Sequence, residues 1–243
     1  MTVSPNGRDA VLGTQEGLLV VDLERPFEPP ALLKYFTNWT PTELQWAPHH
    51  ARQHLVAAAT NQNMVIWNLM GQNPVDHVVK AHARAVTDLH WSPVQPNVLA
   101  TASFDSYVHL WDLRNTRRPA SSFCAWNAGA AQLQFNSKNE FVLASAHGSI
   151  VKIWDTRKGT LPTLELRTRG KRVYGIDWNP KEEHEILTST QDAVIEFWDI
   201  RSGGRSRSRI HTDHPMRRVR FTPFGRGVLA MPQRGSNSLQ LYA

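Results

Sequence analysis

The chain has 243 residues, of which 41% are hydrophobic and 20% charged, and it carries a formal net charge of +6. This is the composition of a globular protein that can bury a large core. The single cysteine, Cys124, excludes an intramolecular disulfide framework. No apolar run is long enough to span a bilayer, so membrane association is expected only through partners or charge.

The sequence predicts short β-strands from end to end and shows no sustained helical apolar face. Apolar runs of strand length alternate with turn residues in six successive groups. In chain order we expect a strand end at 2–5 and strands at 10–13, 18–23, 32–36; 43–47, 55–59, 64–69, 75–79; 86–91, 98–102, 107–111, 121–125; 131–135, 141–145, 150–155, 163–166; 174–178, 186–189, 194–200, 207–211; and 217–221, 228–231, 238–242.

The third group also contains four residues that can form a buried chain of hydrogen bonds. An aspartate can accept from an imidazole, the imidazole from a hydroxyl, and the hydroxyl from an indole N–H. The residues in these roles are His82, Ser103, Asp105 and Trp111. We expect them to fix the turns of their own group.

A tryptophan followed by Asp or Asn closes four of the groups, at spacings of 44, 43 and 44 residues: Trp67, Trp111, Trp154 and Trp198. A repeat of this length made of short strands resembles the WD-repeat family. The resemblance implies an all-β fold, a WD-repeat β-propeller with one group of strands per blade.

Counting strands predicts a single β-propeller domain over residues 1–243 with six blades, the last one incomplete. The approximate blade ranges are 1–37, 38–80, 81–126, 127–168, 169–212 and 213–243. We expect a fragment of a seven-bladed propeller, an open arc whose first and last blades expose apolar faces and which associates with itself when expressed alone.

The other blades depart from the hydrogen-bonded set of the third. Blade 5 keeps Asp192, Trp198 and a hydroxyl (Thr188 or Thr190), but Arg169 stands in the place of the histidine. The place of the aspartate is taken in blades 1, 2, 4 and 6 by Gln15, Asn61, Gly148 and Ser236. We therefore expect these blades to be held mainly by apolar packing.

The sequence contains no catalytic motif and no cofactor-binding motif, and it predicts no small-molecule substrate. The histidines at 49, 50 and 54 lack a second ligand cluster and are interpreted as a polar loop, so no metal site is expected. Cys124, in a predicted outer strand, is interpreted as a buried apolar residue. The basic run at 201–209 is interpreted as a solvated loop, because no aromatic residue is interleaved for nucleic-acid binding.

Several stretches resemble one family more closely. They are VDLERPFEPP (21–30), LQWAPHHARQHLVAAATNQNMVIWNL (44–69), ATASFDSYVHLWDLRNTRRP (100–119), AWNAGAAQLQFN (125–136), LASAHGSIVKIWDTRKG (143–159) and VYGIDWNP (173–180). They resemble the N-terminal propeller of the WD-repeat subunit of the SEA complex, which has a RING-like C-terminal end and an animal counterpart in the GATOR-type amino-acid-sensing assembly.

That resemblance implies a non-catalytic scaffold whose partners are other subunits of a multi-subunit complex. It further implies amino-acid signalling to the TOR kinase through regulation of Rag-type GTPases. The expected location is cytoplasmic, peripheral at the vacuolar or lysosomal membrane as part of the complex. The family member is longer, with a further blade, an RWD-type domain and the RING-like end.

A second hypothesis rests on three WDxR sequences, which resemble the docking boxes of substrate receptors of cullin-4-type ubiquitin ligases. In this hypothesis the guanidinium groups of Arg114, Arg157 and Arg201 contact a partner carboxylate. The competing interpretation is that each arginine pairs with an acidic residue of its own or an adjacent blade.

Overall fold

The computed structural model describes residues 1–35, 39–126, 128–169, 171–224, 227–233 and 238–242. Within these ranges it contains 23 β-strands and no α-helix. Two single turns of 3-10 helix, His50–Arg52 and Ile200–Ser202, interrupt the strands. None of the helices in the described part of the chain could cross a membrane.

The strands form six antiparallel sheets, each built from strands that follow one another in the chain. The first three sheets are β1 (Thr2–Val3), β2 (Asp9–Gly13), β3 (Gly17–Asp22), β4 (Ala31–Lys34); β5 (Glu43–Trp46), β6 (Leu55–Thr60), β7 (Asn63–Asn68), β8 (Val75–Lys80); and β9 (Val86–Trp91), β10 (Val98–Ser103), β11 (Tyr107–Asp112), β12 (Ser121–Cys124).

The last three sheets repeat this arrangement, and the sixth has three strands in the described residues. They are β13 (Ala130–Phe135), β14 (Val142–His147), β15 (Ile150–Asp155), β16 (Leu164–Arg167); β17 (Val173–Trp178), β18 (Glu185–Thr190), β19 (Val194–Asp199), β20 (Ser206–His211); and β21 (Met216–Phe221), β22 (Val228–Pro232), β23 (Gln240–Tyr242). This is the all-β propeller architecture, with one sheet per blade.

Every predicted strand is present, with its ends within two residues of the expected positions. Residue 36, which we expected to end the fourth strand, lies outside the described residues. The agreement follows from the period-two apolar pattern and from the turn residues that bound each run.

The chain divides into two compact units, Met1–Ser122 and Phe123–Ala243, with the boundary inside β12. In the first unit, one apolar core lies between sheets 1 and 2 and another between sheets 2 and 3. In the second unit, the cores lie between sheets 4 and 5 and between sheets 5 and 6. Each sheet within a unit therefore packs face to face on the next.

The second strand of a blade is buried on both faces where sheets lie on either side of it. All six residues of β6 are buried, and residues 57–59 are three successive alanines. Small side chains suit this position because both faces of the strand approach a neighbouring sheet.

Sheets 1 and 6 each carry partly exposed apolar side chains. Leu12 and Leu32 on sheet 1 are more than a third exposed, and so are Leu229, Met231 and Leu241 on sheet 6. These side chains point away from the cores described above.

Candidate functional site

Blade 3 contains the predicted chain of hydrogen bonds, but its hydroxyl belongs to Thr101 and not to Ser103. Trp111 Nε1 donates to Thr101 Oγ1 at 2.9 Å. The threonine hydroxyl lies 2.8 Å from His82 Nε2, and His82 Nδ1 lies 3.0 Å from Asp105 Oδ2. An indole N–H can only donate, so Trp111 donates to Thr101. The Thr101 hydroxyl in turn donates to His82, and His82 donates to Asp105. We call such a chain a relay.

The register between β10 and β11 explains why the hydroxyl of Thr101, and not that of Ser103, meets the indole. Thr101 pairs with His109, the residue two before Trp111, and this brings its hydroxyl to the indole. Ser103 lies two residues farther along the strand, where its hydroxyl donates to the carbonyl of Arg84 and accepts from the N–H of Asp105. Ser103 thus braces the turn that carries the aspartate.

The relay of blade 3 is electrostatically consistent with a neutral histidine and a charged aspartate. Burial lowers the pKa of His82 below its usual value, although Asp105 opposes the shift. Burial alone would raise the pKa of Asp105, but the N–H of Tyr107, the His82 ring and the N–H of Ala83 together lower it. The imidazole of His109 stacks on that of His82 at 4.5 Å, and burial lowers the pKa of His109 to about 4.

Blade 4 contains a second relay, which the sequence analysis missed. Trp154 Nε1 donates to Ser145 Oγ at 2.7 Å, and this hydroxyl lies 2.8 Å from His147 Nε2. His147 Nδ1 lies 2.9 Å from the carbonyl oxygen of Ala128, to which it donates. Burial lowers the pKa of His147 to about 4, and the charge of Lys152 acts in the same direction. Blade 4 therefore combines this relay with the apolar core that it shares with blade 5.

The relay of blade 4 differs from that of blade 3 in the origin of its histidine, because His147 ends β14 whereas His82 precedes β9, and in its hairpin, which is one residue shorter. Trp154 pairs with Leu143, eleven residues earlier, whereas Trp111 pairs with Leu99, twelve residues earlier. A fixed spacing consequently assigned Gly148 to the place of the aspartate. Gly148 lies instead in a tight turn between β14 and β15, with φ of 59°. The sequence signal for such a relay is a Ser or Thr two residues after the residue that pairs with the tryptophan across the hairpin.

Blades 5 and 2 retain only parts of a relay. In blade 5, Trp198 Nε1 donates to Thr188 Oγ1 at 3.0 Å, while the hydroxyl of Thr190 separately donates to Asp192. In blade 2 the equivalent strand position is Ala58, and Trp67 Nε1 is buried without a hydrogen-bond partner among the described residues.

The other residues that spacing assigned to the aspartate position do not form part of a relay in the described residues. Asn61 lies in the tight turn between β6 and β7 with φ of 48°, as Gly148 does in blade 4. Gln15 is exposed in blade 1, and Ser236 lies outside the described residues. Spacing alone was therefore a poor guide at this position.

Polar side chains near the ends of the first strands connect neighbouring blades. In each case the side chain accepts from the backbone N–H of an aromatic residue in the next blade, at 2.7–3.2 Å. The acceptor and donor pairs are Thr2 and Trp46, Gln45 and Trp91, Gln134 and Trp178, and Asp177 and Phe221. We call these contacts interblade bonds.

Asp177 carries the most heavily connected interblade bond. Its carboxylate also accepts from Gln134 Nε2 at 2.6 Å and from Arg220 Nη1 at 3.0 Å, so that it joins blades 4, 5 and 6. Burial raises the pKa of Asp177, and Arg220 is the main opposing influence.

The three WDxR arginines each bind the aspartate two residues earlier in the chain. The shortest nitrogen–oxygen distances are 2.6, 2.9 and 2.8 Å for Arg114 with Asp112, Arg157 with Asp155, and Arg201 with Asp199. The side-chain hydrogen bond from Arg201 lowers the pKa of Asp199 to about 2. The interpretation in which each arginine pairs within its own blade is confirmed. Contact of these arginines with a partner stays a prediction.

One cavity in the second unit is lined by two aromatic rings and by charged side chains of both signs. It has a volume of about 470 Å³ and lies where sheets 5 and 6 adjoin. The rings of Phe197 and Phe221 meet edge to face in it, with centroids 6.0 Å apart. Its other lining residues include basic side chains, such as Arg201 and Arg207, and the carboxylates of Glu182, Glu185 and Asp199.

The basic run at 201–209 is a solvated loop only in its first half. Strand β20 begins at Ser206, and Arg209 on this strand pairs with Glu196 at 2.5 Å. Glu196 is almost completely buried. The expectation of a solvated loop is therefore wrong for Arg209.

The histidine loop and the cysteine have ordinary surroundings. His49 Nε2 lies 2.9 Å from the carbonyl oxygen of Ser92. Across the described ranges, no group of three His, Cys, Asp or Glu side chains is placed to hold a metal ion. Cys124 is half-buried in β12, beside the fully buried Phe123.

Comparisons with known proteins give the following similarities. The family model "WD domain, G-beta repeat" matches residues 74–112. Over its full length the chain is 42% identical to an uncharacterized RWD, RING finger and WD repeat-containing protein of Schizosaccharomyces pombe. It is 35% identical, again over its full length, to the GATOR2 complex protein WDR59 of Homo sapiens. The chain spans 19% and 25% of the lengths of these two relatives.

A solved structure supports the fold. A chain in the crystal structure of a mitotic checkpoint complex superposes with a TM-score of 0.82. The match covers 95% of this chain and 70% of that one at 18% sequence identity. At this identity the similarity bears on the fold alone.

Proposed function

From the premise that the chain belongs to the WD-repeat β-propeller family and is a homologue of the GATOR2 complex protein WDR59, we propose that it is a non-catalytic scaffold. Its partners in this proposal are the other subunits of a GATOR2-type complex, known in fungi as the SEA complex. The observation that carries the proposal is the similarity to WDR59 over the entire chain.

We further propose that this complex acts in amino-acid signalling to the TOR kinase through Rag-type GTPases. The protein would then be cytoplasmic and would reach the vacuolar or lysosomal membrane through its partners. The similarity to a GATOR2 protein supports this role.

The geometry suits a scaffold because polar contacts fix blades 3 and 4 internally and tie neighbouring sheets together within each unit. The relays satisfy the buried indole N–H groups of blades 3 and 4. Rigid blades present their loops in a fixed arrangement, which lowers the entropic cost of binding a partner.

Among the three WDxR arginines, Arg201 is our candidate for the partner contact. It lines the same cavity as Phe197 and Phe221. Aromatic residues and arginine are the residue types enriched at interface anchor sites. Arg114 has the same pairing with its aspartate but does not line this cavity, which makes it a matched control.

The test is affinity purification of the tagged protein from its own host, with the variants Arg201→Ala and Arg114→Ala alongside. We expect GATOR2-type subunits to co-purify, with recovery reduced by Arg201→Ala and unchanged by Arg114→Ala. Recovery of a cullin-4 adaptor in place of these subunits would favour the ubiquitin-ligase hypothesis. Equal losses in the two variants would remove the cavity from the proposal.

A further inference from the structure

The loop between β3 and β4 of blade 1 presents a continuous run of exposed side chains. Every residue from 23 to 32 is exposed, and all of them except Glu24, Arg25 and Glu28 are apolar or proline. Phe27 is 100% exposed. Isolated exposed apolar residues are common on protein surfaces, whereas a contiguous apolar surface with a polar border is typical of an interaction site. We call residues 23–30 the Phe27 loop.

Phe27 lies at the apex of a closed turn. The backbone N–H of Glu28 donates to the carbonyl of Arg25 at 3.1 Å, and the Arg25 guanidinium pairs with the Glu28 carboxylate at 3.3 Å. Pro26 occupies the second position of this four-residue turn, which its fixed φ favours. The turn therefore holds the phenyl ring outward, although the ring packs against no other side chain in the described part of the chain.

Hydrogen bonds also fix the point at which the Phe27 loop leaves β3. The N–H of Leu23 donates to the carbonyl of Arg8 at 2.8 Å, and the N–H of Glu24 donates to Asp22 Oδ1 at 2.9 Å. At the other end, Pro29 and Pro30 restrict the backbone before β4 begins. Because the backbone is ordered before a ligand arrives, the entropic cost of binding is reduced.

The surroundings of the Phe27 loop are acidic, although the chain as a whole has a net charge of +6. Blades 3, 4 and 5 have an arginine two residues after the aspartate that ends the third strand, whereas blade 1 has Glu24 after Asp22. The register places Asp9 opposite Asp22. The loop and the adjoining strand ends thus carry two basic and four acidic side chains, a net charge of −2: Arg8, Arg25, Asp9, Asp22, Glu24 and Glu28.

Ion pairs leave part of this negative charge unmatched. Arg8 lies 3.5 Å from Asp22 and 3.8 Å from Glu24, so one guanidinium serves two carboxylates. Arg25 serves Glu28. A surface that approaches the Phe27 loop therefore meets an apolar ring flanked by excess negative charge, which a basic surface complements.

We propose that the Phe27 loop anchors another protein by inserting Phe27 into an apolar pocket whose rim carries Lys or Arg side chains. A preorganised aromatic side chain is a typical interface anchor, and opposite charges around it guide the encounter. Anionic lipid and nucleic acid suit this loop less well, because both would repel its carboxylates. That the partner is another subunit of the same complex rests on the proposed function.

The first test places the photoreactive residue p-benzoylphenylalanine at position 27 of the tagged protein, which is purified with its partners from its own host and irradiated. Position 70 is the matched control, because Met70 is 77% exposed in the loop between β7 and β8. We expect position 27, but not position 70, to cross-link to one partner at a segment that contains apolar and basic residues. Cross-links only to lipid or to a second copy of this chain would overturn the proposal, as would equal cross-linking from both positions.

The second test measures recovery of the cross-linked partner with three substitutions. We expect Phe27→Ala to lower recovery about tenfold and Met70→Ala to change it by less than about threefold. Glu24→Lys should lower recovery by at least about threefold, because it reverses the charge that faces the basic rim. The melting temperature of Phe27→Ala should match that of the unmodified protein, because the ring is fully exposed.

Unchanged recovery with Phe27→Ala would overturn the anchor, and unchanged recovery with Glu24→Lys would overturn the basic rim. Failure of the proposed function has a different signature, the absence of GATOR2-type subunits from the purification of the unmodified protein. The anchor is then still decided by whether the cross-linked protein is lost with Phe27→Ala.

Discussion

In blade 3 the relay that begins at Trp111 ends on the carboxylate of Asp105, whereas in blade 4 the relay from Trp154 ends on the backbone carbonyl of Ala128. Both relays contain one hydroxyl and one neutral histidine between these ends. A buried indole N–H requires an acceptor, and a buried hydroxyl and imidazole require further acceptors in turn. The last acceptor of a relay therefore need not be an acid, provided that every donor before it is satisfied.

The largest effect is expected at the hydroxyl of each relay. Thr101→Val preserves the shape but leaves Trp111 Nε1 and His82 Nε2 without their partner, and we expect a loss of about 3 kcal/mol in the free energy of unfolding. Ser145→Ala should cost a similar amount in blade 4. Denaturant titration measures both values.

Ser103→Ala is the control for this pair, because Ser103 lies outside the relay and only braces a turn. We expect it to cost about 1 kcal/mol. A loss at Ser103 equal to that at Thr101 would contradict the assignment of the hydroxyl.

The next effect concerns the terminal aspartate, which blade 4 replaces with a backbone carbonyl. Asp105→Ala removes the partner of His82 and the acceptor for the N–H groups of Ala83 and Tyr107. We expect this variant to lose about 2 kcal/mol in the free energy of unfolding. Asn61→Ala in blade 2, where no relay exists, should cost less than about 1 kcal/mol. Thermal melting compares the two, and equal losses would refute a special role for the aspartate.

The relay of blade 4 should respond to acid through its histidine. The pKa of His147 is lowered to about 4, so the unfolded chain binds a proton between about pH 6.5 and 4 that the folded chain does not. Stability is therefore lost as the pH falls through this window. We expect His147 to contribute a loss on the order of 1–2 kcal/mol between pH 7 and 5.

The measurement is the free energy of unfolding at pH 7 and pH 5 for the unmodified chain and for His147→Gln. The variant should be less stable at pH 7 but should lose less on acidification. His109, whose pKa is also lowered to about 4, and His82, whose pKa burial lowers, contribute to the slope that remains. Parallel pH profiles for both proteins would exclude His147 as a source of the acid response.

The smallest effect is expected from placing a hydroxyl where blade 2 has none. Ala58 occupies the position of Thr101 and Ser145, and Trp67 Nε1 lacks a partner within the described ranges. Ala58→Ser should stabilise the protein by about 0.5 kcal/mol by accepting from this indole. Ala57→Ser, on the other face of the same strand, should cost about 1 kcal/mol, because it buries a hydroxyl away from Trp67. Equal shifts in melting temperature would argue against the register.

The strands could be predicted from the sequence because each is a short apolar run between turn residues, and because the tryptophans at 67, 111, 154 and 198 fix the repeat. The members of the relays could not be predicted with the same accuracy. Hairpin length varies by one residue between blades 3 and 4, and a shift of one residue changes which side chain meets the indole.

The remaining contacts depend on three-dimensional neighbours. The ion pair of Arg209 with Glu196 joins two strands that the sequence analysis had placed correctly, but pairing register was needed to see it. The interblade bonds join residues about one repeat apart, such as Gln134 and Trp178. The sequence signal for these bonds was a polar residue directly before an aromatic residue, at the end of several of the first strands.

The interblade bonds have a consequence for amide hydrogen exchange. The N–H groups of Trp46, Trp91, Trp178 and Phe221 are each held by a side chain of the preceding blade. Such an amide becomes free to exchange when its contact with the preceding sheet opens, so its protection factor reports on that contact as well as on its own strand. Four amides therefore serve as built-in sensors of how cooperatively the repeats of each unit come apart.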